Sequence, residues 1–378
     1  VILASPVDEP WFHVGREDEV RLLRDGEAAF PAMLAAIARA EREVLLEVYW
    51  IAPDAVGRRF REALLERARR GVTVRVIYDA LGSGAMTLWW WRDLAAAGGE
   101  VREYHSLLPF SATFRLDRLV QRDHRKLLVV DGAVGFTGGI NLGNEWSALA
   151  DGGRGWRDDA IAVRGPVAAE MRTLFYRTWR RLTREPVPEW LGPLSPPGSR
   201  PVYMLASQRR RKRSIRREYL TQIGSARREI DLAHAYFVPD RAIRRALFRA
   251  AERGVRVRVL VPEVSDVATA QIVSEAFYAS LLAHGVEIYA YPPPMLHAKT
   301  AIVDRRFVTI GSYNLDEGLR KNLEANVAVL DEPFADHVAR WFEYDLGRSK
   351  RIDAAEWEKR SWMRKAAERA ALAVRTWW

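Results

Sequence analysis

No cysteine occurs among the 378 residues. Disulfides, thiolate metal sites and a cysteine nucleophile are excluded, whatever the compartment. Lysine is scarce: seven, against 52 arginines, in a chain of net charge +10. No run of about 18 uncharged apolar residues occurs, so no transmembrane helix is predicted. No leader pattern stands at the start, which is Val1 rather than methionine. What is present is enough hydrophobic residue, 48%, to build real cores. The length suits two domains of similar size. The basic balance favours an anionic partner, either nucleic acid or an anionic membrane.

An internal repeat organises the chain. The segment from Ala38 to Asp54 is matched by Ser225 to Asp240, with Pro53 and Pro239 offset by 186 residues. Each reads as a helix end, a strand, then a Pro-Asp turn opening a new helix. Ala68–Asp79 is matched by Ala251–Pro262 at an offset of 183, glycine ending a helix before a β-branched strand. Gly98–Tyr104 pairs with His284–Tyr291 in the same way, and a last pair follows at an offset of 173. The conserved order predicts one unit used twice. The expected fold class is α/β: two duplicated α/β/α sandwich domains, each with a central mixed sheet, related by a pseudo-twofold that brings equivalent residues together at their interface. The expected domains are 1–185 and 203–350. Between them, six prolines from Pro186 to Pro201 forbid regular helix and predict a linker over 186–202. A basic, Trp-rich amphipathic helix is expected over 351–378.

The last repeat pair carries the chemistry. His124-x-Lys126-x4-Asp131 is followed after six residues by Gly138-Gly139-x-Asn141. His297-x-Lys299-x4-Asp304 is followed after six residues by Gly311-Ser312-x-Asn314. One such motif is weak; two at equivalent positions of a repeat are specific. Two of the seven lysines fall here in an arginine-built chain. A compact ammonium beside a phosphate explains that choice, because the guanidinium is larger and planar. On a strand, residues i and i+2 share a face, so each histidine is expected to project with its lysine. Two imidazoles and two ammoniums suit a phosphodiester: one histidine attacks phosphorus, the other protonates the leaving alcohol, and the cations neutralise the phosphoryl oxygens. His105, His234 and His284 read as ordinary packed or surface histidines.

These residues resemble the phospholipase D superfamily over nearly the whole chain. The resemblance implies a covalent phosphohistidine intermediate, no metal or other cofactor, and His124 as the usual nucleophile with His297 as general acid; the residues themselves do not say which attacks. It also supplies a carboxylate after each motif to hold the histidine's other ring nitrogen. The matching positions are Asp158, with Asp159 as its rival, and Glu324. Asp131 and Asp304 are expected to anchor the strand-end turn and the lysine; Asn141, Asn314 and Ser312 to orient phosphate oxygens or the lysines.

Within the superfamily the chain most resembles the short, peripheral type of bacterial cardiolipin synthase, through Arg122–Gly132, Gly138–Trp146, Trp156–Pro166 and His234–Asp240. It departs at Gly318 and Leu319, where serine is frequent in that family. The resemblance implies transfer of a phosphatidyl group between two phosphatidylglycerol molecules at the cytoplasmic side of the cell membrane, with phosphatidylglycerol and the membrane surface as partners and no nucleic acid. Three segments are candidates for membrane contact: the tryptophans 89–91, the stretch from Ala354 to Trp378, and the basic run Arg209–Arg217. A hydrolase or nuclease of the same superfamily is the competing enzyme reading. A non-catalytic binding protein is disfavoured because both histidines and both lysines are present.

Overall fold

The computed structural model describes residues 9–86, 89–108, 119–186, 188–189, 191–207, 214–316 and 322–374. Gly318, Leu319, Trp377, Trp378 and the Arg209–Arg213 part of the basic run lie outside these residues. The chain forms two compact units. The first is Val1–Gln208 with Ile310–Ser312 and Lys321–Ala328; the second is Arg209–Thr309, Tyr313–Arg320 and Val329–Trp378.

The first sheet uses β1 (Phe12–Val14), β2 (Asp18–Arg24), β3 (Glu43–Val48), β4 (Thr73–Asp79), β5 (Glu100–Tyr104), β6 (Lys126–Val130), β7 (Val134–Gly138) and β8 (Asp159–Arg164), in the order β1-β2-β8-β7-β6-β3-β4-β5. The later strands are β9 (Val202–Ala206), β10 (Glu229–His234), β11 (Arg256–Pro262), β12 (Glu287–Tyr291), β13 (Lys299–Val303), β14 (Phe307–Gly311), β15 (Ala325–Leu330) and β16 (Lys350–Arg351), ordered β16-β12-β11-β10-β13-β14-β15-β9. In the first sheet β3, β4 and β5 run parallel and β3 pairs antiparallel with β6. In the second, β10, β11 and β12 run parallel and β10 pairs antiparallel with β13. The same mixed pattern thus occurs twice, as the repeat predicts.

The helices that matter for the site are α1 (Asp25–Ala38), α2 (Ala55–Arg69), α3 (Arg92–Ala96) and α4 (Pro166–Thr183) early in the chain, then α5 (Ser214–Ser225), α6 (Arg241–Glu252), α7 (Ala268–Glu275), α8 (Tyr278–Ala283), α9 (Glu332–Gly347), α10 (Ala354–Glu358) and α11 (Trp362–Val374). In the first unit α1 lies over Val134 and Phe136. Met171 of α4 lies against Gly135. Alternate residues of a strand face opposite ways, so the two helices cover opposite sheet faces and the layers are α/β/α. The Pro-Asp turns open helices as expected: Asp54 accepts from the amide of Gly57, and Asp240 from those of Ala242 and Ile243. The described residues between α4 and β9 hold no regular helix or strand.

The carboxyl-terminal stretch differs from the single helix expected. It is two helices, because the Arg360 guanidinium bonds back to the carbonyl of Trp357 and to Glu368, closing the first helix before Trp362 opens the next. The second packs on α7, where Arg364 pairs with Glu275 at 2.7 Å.

The motif aspartates do one job twice. Asp131 accepts from the amides of Glu41, Arg42 and Glu43 at 3.0, 2.8 and 2.9 Å. Asp304 accepts from those of Arg227, Arg228 and Glu229 at 2.9, 2.7 and 3.0 Å. Both have left-handed backbones, φ 55° and 54°, which aspartate tolerates better than most residues. Three amides on one carboxylate pull the Asp131 pKa below its usual range against the opposing effect of burial. Each aspartate fixes where the first central strand of its copy begins. Asp131→Ala and Asp304→Ala should each cost about 2–3 kcal/mol of stability, the scale for losing hydrogen bonds to a charged acceptor, read as a lower denaturation midpoint; an unchanged midpoint would contradict this role.

Candidate active site

The first motif sits where β3 and β6 meet, with Val48 opposite Lys126. The strand starts at the lysine, not at the histidine. His124 precedes it, in a short parallel bridge between Asp123 and Leu323. The amide of His124 donates to the carbonyl of Leu323, and the amide of Leu323 to that of Arg122, both at 2.9 Å. This pairing draws residues 322–325 into the first unit and sets Glu324 beside the motif: His124 Nδ1 lies 3.1 Å from Glu324 Oε2. Both side chains are nearly buried. Ser312 donates its hydroxyl to the same carboxylate. A carboxylate on Nδ1 selects the tautomer whose lone pair is on Nε2, the nitrogen suited to attack or proton transfer.

Lys126 and His124 both stand against the Tyr49 ring. Lys126 Nζ donates to the His124 carbonyl at 2.7 Å and lies 5.1 Å from the centre of the Tyr49 ring. The Tyr49 ring meets the His124 ring edge-on at 4.9 Å. Burial, with Asp79 nearby, pushes the Tyr49 hydroxyl up to about 12, so the phenol stays neutral.

Two residues that the motif does not advertise hold this arrangement. Arg125, 1% exposed, donates to Thr178 Oγ1, Glu47 Oε1, the Glu324 carbonyl and the Ser207 carbonyl. Ser207 takes the Glu324 amide at 2.7 Å and donates to the Asn322 carbonyl at 2.9 Å. The only sequence signal for Arg125 is its place between His124 and Lys126, which turns it to the opposite, interior face.

Asp158 and Glu324 occupy equivalent places, each immediately before a strand, β8 and β15. The residue after each motif's first glycine faces them. A Cβ at Gly139 would overlap the Asp158 carboxylate, whereas Ser312, its counterpart, donates to Glu324. Asp158 is fully buried and accepts from Trp146 Nε1 at 2.9 Å. Asp159, the rival, is committed to Arg157 at 2.6 Å. Asn141 is also buried and accepts from the Trp50 amide at 3.2 Å, which ties the Gly-Gly-x-Asn segment to the end of β3.

In the second unit His234 stands opposite Lys299 on the paired strands β10 and β13. Lys299 Nζ lies 2.9 Å from His297 Nδ1 and also donates to the His297 carbonyl. The Tyr236 ring meets His297 edge-on at 6.2 Å. His234 is fully buried between Tyr219 and Phe237, as a packed histidine should be; burial and then the Lys299 charge lower its pKa to about 3. Asn314 is buried, and neither atom of its amide has a partner among the described residues. Asp131 and Asp304 are elsewhere: each lies at the far end of a five-residue strand from its lysine, about 17 Å away at 3.3 Å per residue. Lys126 and Lys299 each donate to the carbonyl of their own motif histidine. Among the described residues no group of three or more His, Asp or Glu side chains is arranged to hold a metal ion.

Of the tryptophans 89–91, Trp91 is buried and stacked on Tyr78, and Trp90 is covered by Arg61. Only Trp89 is widely exposed, at 71%. Behind His124, Asp79 receives the amides of Leu81 and Asp123 and the Arg122 guanidinium. Burial nevertheless raises its pKa to about 7, Arg122 only partly opposing. A carboxyl raised on folding adds stability below its unfolded pKa of about 4 that is lost as pH rises through 7. Asp79→Asn cannot titrate there. The midpoint difference between wild type and Asp79→Asn should therefore shift in favour of the variant between pH 4.5 and pH 7.5, roughly the window bounded by those two pKa values; a pH-independent difference would contradict the raised pKa.

The family model for the cardiolipin synthase, phospholipase D-like domain matches residues 33–179 and 219–346, one match per repeat. The chain is 32% identical over 364 residues to a cardiolipin synthase of Geobacillus kaustophilus, covering 94% of this chain and 71% of that one. It is 34% identical over 341 residues to cardiolipin synthase A of Pseudomonas entomophila, covering 90% and 71%. Its fold is like that of a phosphatidylserine synthase of Haemophilus influenzae, TM-score 0.70 at 13% identity, over 98% of this chain and 97% of that one. The duplicated α/β unit, with a His-x-Lys motif in each copy, agrees with these likenesses, and the chain belongs to the cardiolipin synthase family of phospholipase D-like enzymes.

Proposed function

We propose that the chain is a phosphatidyltransferase that joins two phosphatidylglycerol molecules into cardiolipin and releases glycerol, acting at the cytoplasmic surface of the cell membrane without a cofactor. The observation that carries this reading is the buried His124–Glu324 pair beside Lys126, in a chain that repeats the His-x-Lys motif at Lys299.

In this reading His124 Nε2 attacks phosphorus. An N–P bond forms, the P–O bond to glycerol breaks, and His297 gives the departing glycerol oxygen its proton. Lys126, Lys299, Asn141 and Asn314 stabilise the non-bridging oxygens. A second phosphatidylglycerol then enters. Its hydroxyl loses a proton to His297 and attacks phosphorus, and the N–P bond breaks. Glu324 is a positioning residue that holds the His124 tautomer, and Asp158 is its counterpart in the first copy. Asp131 and Asp304 contribute by setting the strands. Transfer wins over hydrolysis only where the acceptor is bound and water is scarce.

The purified chain with phosphatidylglycerol vesicles should yield cardiolipin and free glycerol by mass spectrometry. Phosphatidic acid alone would mean a hydrolase, and no lipid product would redirect attention to nucleic acids. His124→Ala and His297→Ala should each abolish turnover, and substantial activity in either would sink the two-histidine scheme. His297→Ala, which keeps the nucleophile, should trap the acid-labile phosphohistidine at His124 when the leaving group is an activated phenol. Glu324→Gln should lower turnover by about 10²–10⁴-fold, the range between losing a positioned acid–base group and losing the carboxylate that orients a catalytic histidine, and should displace the acid limb of the pH–rate profile; a profile merely scaled down would argue for a structural role alone.

A further inference from the structure

The large apolar side chains exposed in the first unit, among the described residues, are Leu81, Trp89, Leu108, Val120 and Leu149, each more than half exposed. They come from separate connections: β4 to α3, β5 to β6, and β7 to β8. All of these connections meet the sheet at one edge. That edge is defined by the ends of β3, β4, β5 and β7 and by the start of β6, where Val48 faces Lys126 and Asp79 faces Tyr104. It is the edge that carries His124. At the opposite edge, where β6 turns into β7 and α2 enters β4, no large apolar side chain is exposed among the described residues.

The exposure is held in place. Trp91 and Met86 are buried on either side of Trp89, and Arg61 bonds the Trp90 carbonyl at 3.1 Å. Arg92 lies over the Trp89 ring at 3.8 Å and pairs with Asp93 at 3.4 Å, which holds the indole in its exposed position. In the second unit, taken by itself, Val264 and Ile272 are exposed in the connection that leaves the matching end of β11.

We propose that this edge of the first unit is a membrane-docking face, with those five side chains entering the headgroup region of an anionic bilayer. The choice of a bilayer rests in part on the lipid reading above, but two observations favour it independently. The residues come from three separate connections, and a stable protein interface needs a contiguous, complementary surface of about 800 Å² per partner. A fluid bilayer accepts spaced side chains without shape matching. Tryptophan favours the headgroup level of a bilayer, and Trp89 is the most exposed of these five side chains.

The test is co-sedimentation of the full chain with vesicles of phosphatidylglycerol and phosphatidylcholine, read without turnover. Trp89→Ser, Leu108→Ser and Val120→Ser combined should weaken vesicle partition by at least about tenfold, given the apolar area withdrawn. Tyr344→Ser, an exposed aromatic on α9, should leave it unchanged. Partition of the combined variant like that of wild type, or no vesicle binding by wild type, would overturn the proposal. Should the combined variant misfold, Trp89→Phe serves: lipids brominated near the headgroup should quench wild-type tryptophan emission more than that of the variant, and equal quenching overturns the proposal. The two readings separate cleanly. Vesicle binding through these loops without lipid product would defeat the phosphatidyltransferase alone; cardiolipin formation with undiminished binding of the combined variant would defeat the docking face alone.

Discussion

The site in the first unit depends on a buried guanidinium. Arg125 joins four backbone or side-chain acceptors that no local sequence brings together: Thr178, Glu47, Ser207 and Glu324. A guanidinium is planar, carries five donors and does not titrate in the working range, so it can hold several acceptors in fixed directions inside a core. Its neighbours on either side are His124 and Lys126. Fixing Arg125 therefore fixes the two catalytic candidates, and its bond to the Glu324 carbonyl brings in the carboxylate that faces His124. Removing it would leave Glu47 buried without its cation, a loss usually larger than the pair's net worth.

Around this clamp the interior is electrostatically tense. Asp123 is fully buried, and burial together with the nearby Glu47 carboxylate holds its pKa well above the usual range. Asp79 is raised as well, despite accepting amides and Arg122. Low dielectric opposes charge on all of them, and backbone amides and arginines recover part of the cost. Six of the 52 arginines are buried among the described residues and act as internal fasteners, Arg24, Arg67, Arg122, Arg125, Arg157 and Arg258, while the compact ammoniums of Lys126 and Lys299 stand beside histidines.

The two copies keep their framework and differ in detail at the chemistry. Asp131 and Asp304 bind the same three amides of equivalent turns. Gly139 makes room for Asp158 where Ser312 donates to Glu324, and Val48 stands beside Lys126 where neutral His234 stands beside Lys299. Family membership covers both copies, while the likeness to a phosphatidylserine synthase shows a shared fold and leaves the chemistry to the side chains.

Residue order alone determined the duplicated α/β architecture, the two motifs, the helix-opening aspartates and the pairing of each histidine with its lysine. These follow from short-range rules: strand alternation, glycine and proline punctuation, and capping. Tertiary structure decided the rest. It showed that the motif aspartates hold the expected turns but lie a strand's length from their lysines, that Trp91 is core while Trp89 faces solvent, and that the terminal stretch is two helices, one docked on α7. It also paired His124 with a carboxylate 200 residues away. That contact has no local signature, because it exists only once the chain has returned to lay Leu323 against Asp123, and no spacing along the sequence encodes a pairing made by a bridge between distant segments.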